Sequence, residues 1–124
     1  MDRICLVGDS MQTAGLDLDT ERAARVFMQK IASRYDVAGA ILYGSRARRS
    51  HRADSDADIA VLLHGPRGKR VDAALDMAGV AFDVLLETGV LMEALPLWED
   101  EWEHPERFNN PDLIENIRRE GVRL

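Results

Sequence analysis

Apolar positions along the 124-residue chain either recur at helical spacing or fall in short continuous runs, and the switches between the two divide it into elements. From about Asp19, the positions Ala23, Val26, Phe27 and Ile31 recur at helical spacing. Glu21, Arg22, Arg25 and Lys30 supply a charged face, which predicts an amphipathic helix ending near Tyr35. Val37–Tyr43 is a short apolar run closed by Gly44-Ser45, the pattern of a buried strand entering a turn. Residues 46–50 are predicted to form one or two helical turns with Ser45 near the N-cap, and 51–55 a loop. A second strand is predicted over 56–63, ended by the turn residues Gly65, Pro66 and Gly68. Val71, Ala74, Leu75 and Ala78 share one side of a short helix over 69–78, and the apolar run 80–86 is predicted as a third strand. Residues 90–95 suggest a short helix stopped by Pro96, and 98–109 an irregular segment anchored by Trp98 and Trp102. Asn110 at an N-cap, Pro111 behind it, Leu113, Ile114 and Ile117 on one face and Gly121 at the end predict a C-terminal helix. The order predicts an α/β (α+β) fold, a single-domain mixed β-sheet flanked by helices over residues 19–124. Residues 1–18, with the apolar run Ile4–Val7, precede it as an N-terminal extension or edge strand.

Composition narrows the classes without changing that outline. Apolar residues make up 46% and charged residues 31%, the balance of a globular chain. The formal charge of −6 disfavours direct nucleic-acid binding, which lysine and arginine dominate, and suits a basic partner or simple solubility. Cys5 is the single cysteine, so neither an intramolecular disulfide nor a cysteine cluster is available, as expected of a reducing compartment. No basic stretch leads into a long apolar run at the N-terminus, and no segment has bilayer-spanning length; a cytoplasmic location without membrane contact is the expectation.

The chemistry concentrates in Leu42–Leu63, where Gly44-Ser45 is followed, after ten intervening residues, by Asp56-Ala57-Asp58 at the head of an apolar strand. Alternate residues of a strand share a face, so Asp56 and Asp58 emerge together, about 6.5–7 Å apart. Two convergent carboxylates with substrate phosphate oxygens are the usual way of holding magnesium, and two such ions can clamp the attacking and leaving oxygens of a phosphoryl displacement. Gly44 lets backbone approach a polyphosphate, Ser45 can donate to it, and Arg46, Arg48, Arg49 and Arg52 lie beside it as candidate neutralising cations. A third carboxylate is expected on a neighbouring strand. Asp83, a charge amid apolar residues in the run 80–86, is the first candidate to complete the metal site and help deprotonate the attacking hydroxyl, with Glu87 the alternative. Each part alone has a plainer reading, as a turn, a solvated acidic loop or an exposed basic face; their joint placement carries the functional one. His51, His64 and His104 read as surface histidines, and Met28 and Met77 as core.

This arrangement resembles the glycine-serine, ten-residue, aspartate-x-aspartate signature of the DNA polymerase beta nucleotidyltransferase superfamily. More narrowly, with the ending Asn110-Pro111-Asp112-Leu113-Ile114-Glu115-Asn116-Ile117-Arg118-Arg119-Glu120-Gly121-Val122, it is similar to the minimal nucleotidyltransferases (MntA-like proteins) over residues 20–124. The resemblance implies a palm-like mixed sheet, two Mg2+ ions with ATP as substrate, Gly44 and Ser45 at the phosphates with Arg46 and Arg48 beside them, and Asp56, Asp58 and Asp83 at the metals. It also implies an antitoxin that transfers AMP to a tyrosine of a HEPN-domain toxin ribonuclease. One departure is visible: Arg49 stands where the family usually has glycine. The few residues after the third predicted strand favour an acceptor on another chain. The competing expectations are a transferase for a small hydroxylated molecule such as an aminoglycoside, with its acceptor site at a homodimer interface, and a non-catalytic toxin-binding module.

Overall fold

The computed structural model describes residues 16–48, 50, 52 and 55–124. The extension or edge strand read over residues 1–18 lies, up to residue 15, outside the described residues, as do Arg49 and His51; its last residue, Leu18, already belongs to the first helix. Helix α1 (Leu18–Ala32) begins where the side chain of Asp17 accepts hydrogen bonds from the Thr20 backbone N–H at 3.1 Å and its hydroxyl at 2.6 Å. Ala23, Ala24, Phe27 and Ile31 form its buried stripe. Strand β1 (Val37–Tyr43) and strand β2 (Ala57–Leu63) pair antiparallel, from Val37 opposite Leu63 to Tyr43 opposite Asp58.

The next element departs from the sequence reading. Residues 70–88 form one continuous helix, α2 (Arg70–Thr88), rather than a short helix and a strand. Its buried positions Ala73, Met77, Val80, Ala81 and Val84 follow the 3.6-residue period through Gly79. It ends at Gly89 in the left-handed conformation, where the Gly89 N–H closes on the Leu85 carbonyl. The third strand follows it. Strand β3 (Met92–Trp98) occupies the segment read as a short helix stopped by Pro96, and it pairs parallel with β2. Proline is tolerated there because β3 lies at the sheet edge, where a missing N–H costs no ladder bond. A short helix α3 (Glu99–Glu103) and a 3-10 turn (Pro105–Arg107) fill the segment read as irregular. Helix α4 (Pro111–Glu120) is capped by the Asn110 side chain as predicted, and strand β4 (Val122–Arg123), not foreseen, pairs antiparallel with β1.

The result is a four-stranded mixed sheet of order β3-β2-β1-β4 with helices on both faces, the fold class expected. Helices α1 and α2 cover one face, packing Phe27, Ile31, Met77, Val80 and Val84 on Leu42, Ile59, Val61 and Leu63. On the other, α4 and the 3-10 turn pack Ile114, Ile117 and Phe108 on Ile41, Ala60, Leu62 and Leu97. Helix α2 is the crossover between the parallel strands β2 and β3, so it returns the chain to the end of the sheet where β2 begins. No helix among the described residues is long and apolar enough to cross a membrane.

Candidate active site

Register places the site. Tyr43 of β1 lies opposite Asp58 of β2, and Asp58 opposite Glu93 of β3, so the three form a row across the sheet. Alternation puts the row on the α4 face, since Ala60, Leu62 and Leu97, which share its parity on β2 and β3, all pack there. Asp56, exposed, precedes β2 at the same end.

The electrostatics follow from that closeness. Burial, then Glu93, then Asp56 push the Asp58 carboxyl above the ordinary aspartate range, and Arg48 partly opposes them. Burial followed by Asp58 and Glu93 pushes the Tyr43 hydroxyl up to about 12. A row of like charges in a partly desolvated corner is unfavourable by itself and favourable around a cation. Among the described residues, no group of three His, Cys, Asp or Glu side chains is arranged to hold a metal ion unaided. Asp58 and Glu93 set two oxygen donors side by side, the donor chemistry of a hard divalent cation that completes its shell with water and substrate phosphate.

Gly44 ends β1 with φ +78, a conformation that L side chains rarely adopt, and a Cβ there would overlap the Asp58 carboxylate. Its smallness is therefore what lets the turn lie against the acid. Beyond it, the Arg48 N–H reaches the Gly44 carbonyl at 3.1 Å and the Ser50 N–H the Ser45 carbonyl at 2.9 Å, winding the helical turn expected there. Ser45 opens that turn beside the acidic row.

The predicted residues divide. Gly44, Ser45, Asp56, Asp58 and Arg48 converge at this end of the sheet; Asp83 and Arg46 do not join them. Asp83 is exposed on α2, because the run 80–86 is helical and its core-facing positions are Val80, Ala81 and Val84. Glu87, the alternative, pairs with Lys30 at 3.7 Å. The carboxylate that the structure sets beside Asp58 on the neighbouring strand is Glu93, an acid in an otherwise apolar run, as Asp83 is in its own. Arg46, read as a phosphate ligand, is buried. Its Nε and Nη2 donate to the Ser55 carbonyl at 3.0 and 2.9 Å, and Nη1 donates to the Thr20 hydroxyl at 2.8 Å. It ties the loop that carries the signature to the first turn of α1. Arg48 stays at the surface, 3.1 Å from Glu120 of α4.

Comparison with known proteins agrees with this geometry. The sequence model of the family described as "Polymerase beta, Nucleotidyltransferase" matches residues 28–91, just over half of the chain, including Gly44, Ser45, Asp56 and Asp58. A crystal structure of a candidate nucleotidyltransferase from Sulfolobus solfataricus superposes with a TM-score of 0.53 at 20% identity, over 85% of this chain and 81% of that one; it is evidence for the fold. Comparison with curated proteins returns no match. With the signature, the sheet and the family match in agreement, the chain belongs to the polymerase beta nucleotidyltransferase family, with the fold of a minimal nucleotidyltransferase.

Proposed function

We propose that this nucleotidyltransferase uses ATP and magnesium to transfer AMP to a hydroxyl, a tyrosine hydroxyl, of a HEPN-type toxin ribonuclease, acting as its antitoxin. The observation that carries the catalytic half is the gathering of Asp56, Asp58 and Glu93 at the mouth of the Gly44-Ser45 turn. The acceptor rests on the resemblance to the minimal nucleotidyltransferases. Asp56, Asp58 and Glu93 would hold the divalent cations, whose chemistry is to neutralise the triphosphate and lower the pKa of the attacking hydroxyl. Gly44 lets the turn lie against Asp58, and the turn begun by Ser45 would supply its remaining amides and the Ser45 hydroxyl to the triphosphate. Arg48 adds positive charge at the rim. The acceptor oxygen bonds to the α-phosphorus as the bond to the bridging oxygen breaks; pyrophosphate departs with those electrons. The acceptor's proton passes to Glu93, the role the sequence had suggested for Asp83.

The test is transfer of label from α-labelled ATP, with magnesium, onto a co-expressed HEPN-type partner. Wild type should label it, and Asp58→Asn and Glu93→Gln should each lose at least about 100-fold, the scale of removing a group that acts on the transition state. Asp83→Asn should retain wild-type transfer. Full neutralisation of the partner by Asp58→Asn would make binding, not transfer, the activity; labelling of an aminoglycoside without any partner would replace the protein acceptor.

A further inference from the structure

Helix α2 carries a stripe that the fold leaves uncovered. Val71, Leu75, Phe82 and Leu86 are 70%, 68%, 56% and 71% exposed, four of the five large exposed hydrophobics of the described residues. At 100° per residue they fall on one face, opposite the stripe of Ala73, Met77, Val80, Ala81 and Val84 that faces the sheet. Ala78 and Gly79, also exposed, lie at the middle of the same face. The spacing is symmetric. Val71 and Leu86 are equidistant from the Ala78–Gly79 midpoint, and so are Leu75 and Phe82.

We propose that α2 is the interface of a homodimer, packed antiparallel on its own copy about a two-fold axis at Ala78–Gly79. A two-fold contact must be self-complementary, and this stripe is: the axis sets Val71 against Leu86 of the second copy and Leu75 against its Phe82. The two small residues fall where the helices approach most closely, with the large ones on either side. The size suits a reversible dimer. At the usual transfer coefficient the four side chains expose on the order of 300 Å² per helix. Two copies, with half-buried Ala74 and Leu85 at the flank, bury about 700 Å², the size of a weak, transient contact. Charge permits it as well. The acids beside the stripe are Asp72, Asp76, Asp83 and Glu87, of which Asp76 is bound by Arg34 at 2.7 Å and Glu87 by Lys30. The same register sets Asp83 near the second copy's Asp76 and Asp72 near its Glu87, each offset by about 3 Å along the helix, so Arg34 and Lys30, already paired with Asp76 and Glu87, are what relieve the meeting of acids. Since α2 lies on the face opposite the acidic row, dimerisation leaves both sites open.

The test is sedimentation velocity over a concentration series reaching about 100 μM, together with cross-linking. Wild type should show a monomer–dimer equilibrium in the micromolar range, as expected of a small interface. Phe82→Glu should weaken it at least tenfold while keeping the far-UV circular dichroism of the folded chain. In a Cys5→Ser background, Ala78→Cys should oxidise to a covalent dimer, and Glu115→Cys, exposed on α4, should not. If Phe82→Glu fails to fold, the cysteine pair decides. A wild type monomeric throughout, a dimer indifferent to Phe82→Glu, or equal cross-linking of the Ala78→Cys and Glu115→Cys variants overturns the proposal. So does a monomer that uses the stripe to bind a different protein, detected as a complex that Phe82→Glu abolishes.

Discussion

Asp58 occupies the centre of the acidic row, and its ionisation is opposed first by burial and then by Glu93 and Asp56. Its carboxyl therefore titrates higher in the folded chain than in the unfolded one, and the folded state holds the extra proton in between. The resulting destabilisation is absent below the unfolded value and grows as pH rises through the folded value. Without metal, Asp58→Asn should raise the melting temperature by a few degrees at neutral pH and leave it unchanged below pH about 3.5, where the unfolded-state carboxyl is already mostly protonated. A lower neutral melting temperature in calorimetry would mean that the row is not felt as repulsion. Adding magnesium should narrow the difference, since the cation stabilises only the wild-type carboxylate cluster. Gly44, Ser45, Asp56 and Asp58 were legible because they belong to one hairpin and their spacing is local. Glu93 was not, because its place depends on a parallel pairing across the whole of α2. Arg46 was misread for another reason: sequence alone does not reveal that the Thr20 hydroxyl and the Ser55 carbonyl supply acceptors that make a buried guanidinium acceptable.

At the level of elements, α4 and β4 brace the signature loop from outside. Gly121 joins them with ordinary backbone angles, but a Cβ there would crowd Ile41 and lie 2.5 Å from the Ile117 carbonyl oxygen. Gly121→Ala should cost about 1–3 kcal/mol, the range for overpacking a filled site. It should also weaken ATP binding, because Glu120, the preceding residue, holds Arg48. Thermal melts paired with nucleotide titration check both; loss of stability with unchanged affinity would show that the brace does not reach the loop. The elements with strong local signals, α1, β1, β2 and α4, were legible from caps and periodicity. Helix α2 was broken in two because its outer face is also apolar: Val71, Leu75, Phe82 and Leu86 blur the period that Met77, Val80 and Val84 set. A strand over 80–86 leaves no place for one at Met92–Trp98, and the local signal of Pro96 is the same for a helix stop as for an edge strand. Strand β4, two residues long, carries too little pattern to be read.

Across the whole molecule, the parallel pairing of β2 with β3 governs when the site is completed as well as where it lies. The β1–β2 hairpin brings Gly44, Asp56 and Asp58 together from neighbouring sequence, so that half can assemble early. Glu93 comes to Asp58 only when β3 docks, after the 19-residue helix α2 has formed its crossover. Strand β3 therefore has to bring a negative charge up to two others, and folding meets its electrostatic resistance late. Ionic strength becomes a kinetic variable. Raising salt from about 0.01 to 0.1 M shortens the screening length from about 30 to 10 Å and should speed refolding of wild type several-fold in stopped-flow. Glu93→Gln should refold faster at low salt and respond little; equal salt responses in the two proteins would place the charge encounter before the rate-limiting step. A site built to receive a cation thus makes the route into its own fold dependent on the ions already in solution.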